Sequence, residues 1–467
     1  MMLLKIALRN ILRNGRRSLM TASAIAVGAI ALILFGEYVG YMVRGFETSV
    51  VVESGHLSVF RKGYFEYGAG NPSGYSISGY KKVMALIEND SVLKPMVIVV
   101  TPTVTVFGIA GNFAIDTSKT FYGSGVVPSD QDRLRRWNDY GIFGTPSRFP
   151  LRDGDDTHGI IGVGLARMLG LCKPLNVPNC PSPPEKAKPA VPVAAGPAGV
   201  DLVELAARDR DTTAPAAEKK GARIDLLAAT AAGAPNVVSL SVIEARSEGA
   251  KELDDMYVGM SLGLAQQLLY GRGEHKAVSI VVQLQHTAEI PQARARLDEI
   301  FRQNKLDLEV HDFTELQPQY NQVIGFFGAI FLFILVIMGI IVLFTVVNTM
   351  SMSVMERTNE IGTARAMGVR RSGIRRQFLI EGCLLGLIGA TAGVVLSSMI
   401  AVWFNGLGAH WMPPGEASPI PLKLLTTGVW EFQFAVWFGL LAMATLAAVV
   451  PSNRAARMPV VDALRHV

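Results

Sequence analysis

Residues 353–370, SVMERTNEIGTARAMGVR, hold the densest group of side chains in this chain that could act on another molecule. Glu356, Arg357, Glu360 and Arg365 alternate in sign, and Gly362, Ala366 and Gly368 add little bulk between them. Mixed charge beside small residues suits a reversible protein contact. Catalysis in this chain is a poor fit to its residues. There is no G-x-x-x-x-G-K-[ST] loop for phosphates, no HExxH and no paired Cys–His metal motif. The seven histidines are scattered.

The elements around this segment decide what it can do. It lies between apolar runs at 321–349 and 378–404, and two more runs lie at 19–43 and 432–450. Each is long enough for a hydrocarbon core of about 30 Å, which takes roughly 20 helical residues. Mean hydropathy is +0.32, 50% of residues are hydrophobic and 18% are charged. That charged share is below the roughly 25% of soluble domains, as membrane insertion would make it. The net charge of +5 carries no nucleic-acid motif with it, so no nucleic-acid partner is expected. A short charged helix between two spans is a lever that an external motor can push.

Lys and Arg near the spans set the orientation. Lys5, Arg9, Arg13, Arg16 and Arg17 precede the first run. Arg357, Arg365, Arg370, Arg371, Arg375 and Arg376 separate the second and third, and Arg454, Arg457 and Arg465 follow the fourth. The loop 405–431 carries only Lys423. All three basic flanks are cytoplasmic together only with four spans and both termini inside. The expected order is an amphipathic cytoplasmic helix at 1–18, a span at 19–43 and a periplasmic domain at 44–320. A span with its stalk follows at 321–349, a cytoplasmic helix and loop at 350–377 and a span at 378–404. A short periplasmic loop at 405–431, a span at 432–450 and a cytoplasmic tail at 451–467 complete it. A cleavable signal peptide is the alternative for the N-terminus, but the run exceeds a signal peptide's apolar core. An unbroken helix from Tyr320 to Asn348 would be about 43 Å long and project as a stalk.

The segment 3–17 reads as a helix on the cytoplasmic leaflet, its basic face toward anionic lipid. Ala24-xxx-Gly28, Gly36-xxx-Gly40 and the glycines at 382, 386, 389 and 393 mark close helix approaches. Glu37, late in the first span, reads as an interfacial carboxylate or as part of a substrate entrance. The domain is α+β. Strands are expected at His56–Phe60, Val97–Ile109, Val237–Glu244, Ala277–Leu284 and Leu308–Phe313, with a turn at Gly111-Asn112. Helices are expected at Lys81–Glu88, Gly159–Leu169, Val258–Tyr270 and Ile290–Gln303. A Pro/Ala-rich insertion covers 172–220, either a mobile excursion or a partner-binding arm. Cys172 and Cys180 could pair in an oxidising compartment or remain two free thiols. Cys383 reads as a packing residue, and zinc is not expected.

Residues 348–382, NTMSMSVMERTNEIGTARAMGVRRSGIRRQFLIEG, resemble the signature of the FtsX-like/MacB-like ABC permease superfamily, the type VII or mechanotransmission class. ALRNILRNGRRS at 7–18 resembles that family's opening and PSNRAARMPVVDALR at 451–465 its ending. The resemblance implies a membrane α-helical fold, four helices in a one-plus-three layout, with a large α+β periplasmic domain between helices one and two. It implies that Glu356, Arg357, Glu360, Ile361, Gly362, Arg365, Ala366 and Gly368 form a coupling helix docked on a cytoplasmic ABC ATPase dimer. ATP and Mg would belong to that separate partner, since the chain opens at the membrane. This chain itself would be non-catalytic and cofactor-free, and a second permease copy or a paralogue would complete the assembly. It implies an inner-membrane location, lipid contact and a periplasmic carrier or adaptor. GHLSVFRKGY at 55–64 is similar to the LolC/LolE-like branch, which points to release of lipoprotein or another amphiphile. The alternatives within the family are MacB-like efflux of peptides, siderophores or drugs with an adaptor, and FtsX-like signalling to cell-wall hydrolases.

Overall fold

The computed structural model describes residues 2–68, 72–113, 115–142, 146–178, 180, 222–271, 275–412 and 419–460. The Pro/Ala-rich stretch from 181 to 221 and the tail from 461 lie outside the described residues. Two compact units emerge. One is Met1–Glu47, Gln317–Trp411 and Ile420–Val467; the other is Thr48–Leu316 with Met412–Pro419. Among the described residues four helices are long and apolar enough to cross a membrane, with a large α+β region between the first two.

Helix α1 (Met2–Arg13) leads into α2 (Gly15–Ser54) after Asn14. The α+β unit then begins with β1 (Leu57–Arg61), β2 (Ile77–Ser78), α3 (Tyr80–Glu88), β3 (Val97–Asn112), β4 (Thr117–Val126) and β5 (His158–Gly162). It continues with β6 (Arg223–Ala229), β7 (Pro235–Arg246), β8 (Tyr257–Ser261) and α4 (Leu262–Tyr270). Strands β9 (Lys276–Ala277) and β10 (Ser279–Leu284), helix α5 (Ile290–Gln303) and β11 (Leu308–Asp312) complete it.

Among the described residues one sheet of nine strands runs β11-β1-β10-β3-β4-β8-β5-β7-β6, and β3 also pairs with β6. That extra pairing closes the last six strands into a ring. It needs Gly108, where any Cβ would collide with the Leu227 carbonyl. Val104, Val106, Phe121, Leu226, Leu240 and Met260 fill the ring with Leu264 and Leu268 of α4. A second core joins Leu57, Val59, Ile280 and Val282 to Ile87 of α3 and Leu297 of α5. The Cys172 and Cys180 sulfurs are bonded, with Cα atoms 6.2 Å apart.

Two expected helices begin as strands. Residues 159–162 belong to β5 and only Val163–Met168 is helical; residues 258–261 belong to β8 and the helix starts at Leu262. Both strands are paired on both edges and buried, so they lack an alternating pattern. Ser261 marks the change of element: its hydroxyl caps α4, accepting from the Leu264 N–H at 3.1 Å. Gly111-Asn112 is the end of β3, and the turn follows it, with Asp116 at φ 55°.

His56 is wholly buried beside β10. Its Nδ1 accepts from the Leu284 N–H at 3.0 Å, and its ring meets Trp137 edge-on at 4.9 Å. Burial, then the neighbouring His286, pushes its pKa down to about 3. The folded state therefore binds fewer protons than the unfolded chain between pH 6.5 and about 3. This stability is complete above about pH 6.5 and is lost as pH falls, at about 1.4 kcal/mol per unit. Pulse proteolysis in urea should find the domain about 2 kcal/mol weaker at pH 5 than at pH 7. His56→Gln should flatten that slope, and an unchanged slope would count against the assignment.

After the domain come α6 (Pro318–Glu356), α7 (Thr358–Ala366), α8 (Arg371–Gly406), α9 (Trp430–Ala447) and α10 (Val449–Arg457). Helices α2 and α6, at 40 and 39 residues, would each reach about 60 Å, twice a hydrocarbon core. The small residues work inside the bundle. A Cβ on Gly389 would lie 2.7 Å from Ile25 Cβ and 2.8 Å from the Ala22 carbonyl of α2. Gly393 faces Ala26 and Ala29 of α2 just as closely, while Gly382 and Gly386 face Ala448 and Ala444. Gly393→Val should therefore cost about 1–3 kcal/mol through overpacking, read as a lower melting temperature in mild detergent. Wild-type stability in that variant would mean that α2 and α8 pack elsewhere.

Glu37 is 1% exposed and enclosed by the bundle. Gln433 Nε2 of α9 donates to its Oε1 at 2.8 Å. The carboxylate thus ties α2 to α9.

Candidate functional site

Helix α6 stops at Glu356 because Arg357 leaves helical geometry, at φ −104° and ψ 18°. The freed carbonyls are met by the Thr358 hydroxyl, which donates to Met355 O at 2.7 Å and Val354 O at 3.3 Å. Helix α7 stops at Gly368, φ 93°. There the Gly368 N–H bonds Arg365 O at 3.1 Å and the Val369 N–H bonds Ala364 O at 3.1 Å. This is a Schellman ending, which favours glycine at that position. The sequence R-T at the start of α7 and A-M-G at its end thus cut a nine-residue helix, about two and a half turns, out of a longer helical run.

The inward side of α7 is anchored in three directions. The first anchor is a clasp of three helices. Arg357 Nη1 donates to both Glu381 oxygens at 2.9 and 3.1 Å, and its Nη2 donates to the Asn10 carbonyl at 3.3 Å. Asn10 Nδ2 donates to Glu381 Oε1 at 2.6 Å. The two charged side chains are only 5% and 4% exposed. Such a pair survives burial because each charge has several hydrogen-bond partners. The second anchor joins α1 and the start of α2 to α7 and the end of α6. Arg13 Nη2 donates to Glu360 at 2.8 and 3.1 Å, and Arg17 pairs with Glu356. The third is Arg365, whose Nη1 donates to the Ala456 carbonyl in the last turn of α10 at 3.3 Å. Cations are favoured at that helix end.

The expected docking residues therefore take different places. Arg357, Ile361 and Gly362 are buried: Ile361 packs with Val354, Ile374, Phe378 and Ala455. Gly368 shapes the turn. Glu356, Glu360 and Arg365 hold neighbouring helices. Ala366 alone of the set is exposed with no such task. The open face of α7 is instead Asn359, Thr363 and Ala366, running on to Met367 and Val369. Positions 359, 363, 366 and 367 form one helical stripe. Met367 is 76% exposed, and Met355 nearby 69%. Exposed methionine adapts its shape to a partner's groove.

Sequence reasoning missed Asn10 and Glu381. The signal for Glu381 was present: a carboxylate near the start of an apolar run needs a partner. Asn10 carried no signal, since a neutral side chain in a basic helix is unremarkable until its contact is known.

Residues 329–460 match the family model for the FtsX-like permease C-terminal domain. The match contains all of α7 and both charges of the clasp. The chain is 31% identical over 157 residues to "Macrolide export ATP-binding/permease protein MacB" of Escherichia coli, covering 33% of this chain and 22% of that protein. It is 32% identical over 199 residues to the protein of that name from Neisseria gonorrhoeae (strain ATCC 700825 / FA 1090), covering 41% and 28%. With the Shigella flexneri protein the figures are 38% over 119 residues, 26% and 16%. The chain thus spans 16–28% of the length of the curated relatives it matches. It is a multi-pass membrane protein with four spans and a large extramembrane domain, and its residues 329–460 form an FtsX-like permease C-terminal domain distantly homologous to MacB.

Proposed function

We propose that this chain is the permease subunit of an ABC transporter and that α7 is its coupling helix. A separate cytoplasmic ABC ATPase dimer binds ATP and Mg, closes, and pushes the stripe of Asn359, Thr363, Ala366 and Met367. The motion reaches the α+β domain in the periplasm through α2 and α6, which join the two units in the chain. A second permease copy or a paralogue supplies the other half. No phosphate-binding G-x-x-x-x-G-K-[ST] loop occurs in these 467 residues, which agrees with nucleotide binding outside them. The observation that carries this reading is the two-sidedness of α7: fixed by side chains to α1, α8 and α10 on one side and open on the other. A lever needs both.

The cargo in this reading is an amphiphile taken from the outer leaflet of the inner membrane, with lipoprotein release suggested by residues 55–64. One finding favours a small molecule instead: the matched relatives are named as macrolide exporters. Affinity purification in mild detergent tests the reading. An ABC ATPase should co-purify, and lipid extraction with mass spectrometry should separate an acylated peptide from a small amphiphile. Recovery without any nucleotide-binding protein would overturn the assignment.

A further inference from the structure

Helix α1 and the first turn of α2 have two jobs on two faces. One face serves the anchors, through Asn10, Arg13 and Arg17. The other presents Lys5, Leu8, Arg9, Leu12 and Arg16, all exposed, with Leu8 at 48% and Leu12 at 72%. Lys5, Leu8, Arg9 and Leu12 form one stripe of α1, and Arg16 follows four residues on in α2. Lys5, Arg9 and Arg16 pair with no acidic side chain among the described residues. Only Asn14 separates α1 from the spanning helix α2, whose Leu19 and Met20 are 68% and 73% exposed. A stripe that mixes leucine with three unpaired cations, one step from a span, complements a lipid surface of negative charge. Leucines enter the acyl boundary while the cations reach the headgroups.

We propose that anionic phospholipid headgroups held by Lys5, Arg9 and Arg16 set how firmly α1 grips α7, so that the anionic content of the inner leaflet tunes the lever. The ion pairs Arg13–Glu360 and Arg17–Glu356 carry the effect, because Arg13 shares α1 with Lys5 and Arg9, and Arg17 follows Arg16 in the first turn of α2. Lipid that fixes α1 lowers the cost of ordering those pairs and stiffens α7. The functional consequence rests on the coupling role proposed above; the lipid contact and its reach to α7 do not.

The test uses the full chain alone in nanodiscs, of phosphatidylcholine or of phosphatidylcholine with phosphatidylglycerol, read by amide hydrogen exchange. Anionic lipid should slow exchange in both 5–16 and 358–366. Each basic residue removed should weaken phosphatidylglycerol retention about fivefold. Lys5→Gln/Arg9→Gln/Arg16→Gln should remove the slowing in both segments, and Glu360→Gln should remove it from α7 only. Equal exchange in the two lipids would overturn the proposal and leave the stripe to an acidic protein. Slowing confined to α1 in the wild type would overturn the coupling to α7. No ATPase is present, so a failure of the docking reading leaves this result unaffected.

Discussion

Replacing Glu381 with alanine will destabilise the helical unit by about 3–5 kcal/mol, the usual effect of stranding a buried charge. The variant leaves Arg357 charged, 5% exposed and without its carboxylate, and it also removes the acceptor of Asn10. The Arg357 Nε already has no partner among the described residues, and the Asn10 carbonyl would be left to accept from the guanidinium without any carboxylate. Glu381→Gln should recover part of the loss by keeping one acceptor. The double variant Arg357→Met/Glu381→Leu should recover most of it, because two apolar groups of similar size need no solvation. Thermal unfolding in mild detergent ranks the four proteins. A Glu381→Ala protein within about 1 kcal/mol of wild type would mean the clasp is hydrated or open in the membrane.

Charge placed on the open stripe should act differently. Met367→Glu with Thr363→Glu should reduce partner-stimulated ATP hydrolysis at least about tenfold, since an unpaired charge buried at an interface costs more than 1.4 kcal/mol. Stability should stay near wild type, because both positions are exposed and Met367 touches no core cluster. Alanine at Glu356, Glu360 and Arg365 will also lower coupling, but through a loosened α1 and α10, so exchange in those helices should rise. The two variant sets therefore separate a docking surface from its supports. Full stimulation in the Met367/Thr363 variant would place the contact elsewhere.

Much of this arrangement was legible in residue order because lipid imposes a coarse code. Four long apolar runs, and arginines beside only some of their ends, fixed the one-plus-three layout before any coordinate. The boundaries of α7 were less legible. Arg357 reads as a docking charge by type, yet its carboxylate lies 24 residues later in α8. Glu360 likewise reads as free until Arg13, 347 residues earlier, reaches it. Pairings of that range leave no local periodicity. In the domain, Gly159–Gly162 and Val258–Ser261 misled because a strand paired on both edges is apolar on both faces. Such a run resembles the first turn of the helix that follows it. The ring closure through β3 and β6 depends on Gly108 meeting the Leu227 backbone, which no single segment announces.

Force entering through the open face of α7 is the claim on which the rest depends. Its most direct measurement is photocrosslinking in cells from a reactive side chain at position 363 or 367. The account predicts an adduct with an ABC ATPase from these positions and none from Phe113, at the exposed end of the β3–β4 hairpin. An ATPase adduct from Phe113, or a stripe that yields none while the transporter is active, would contradict it.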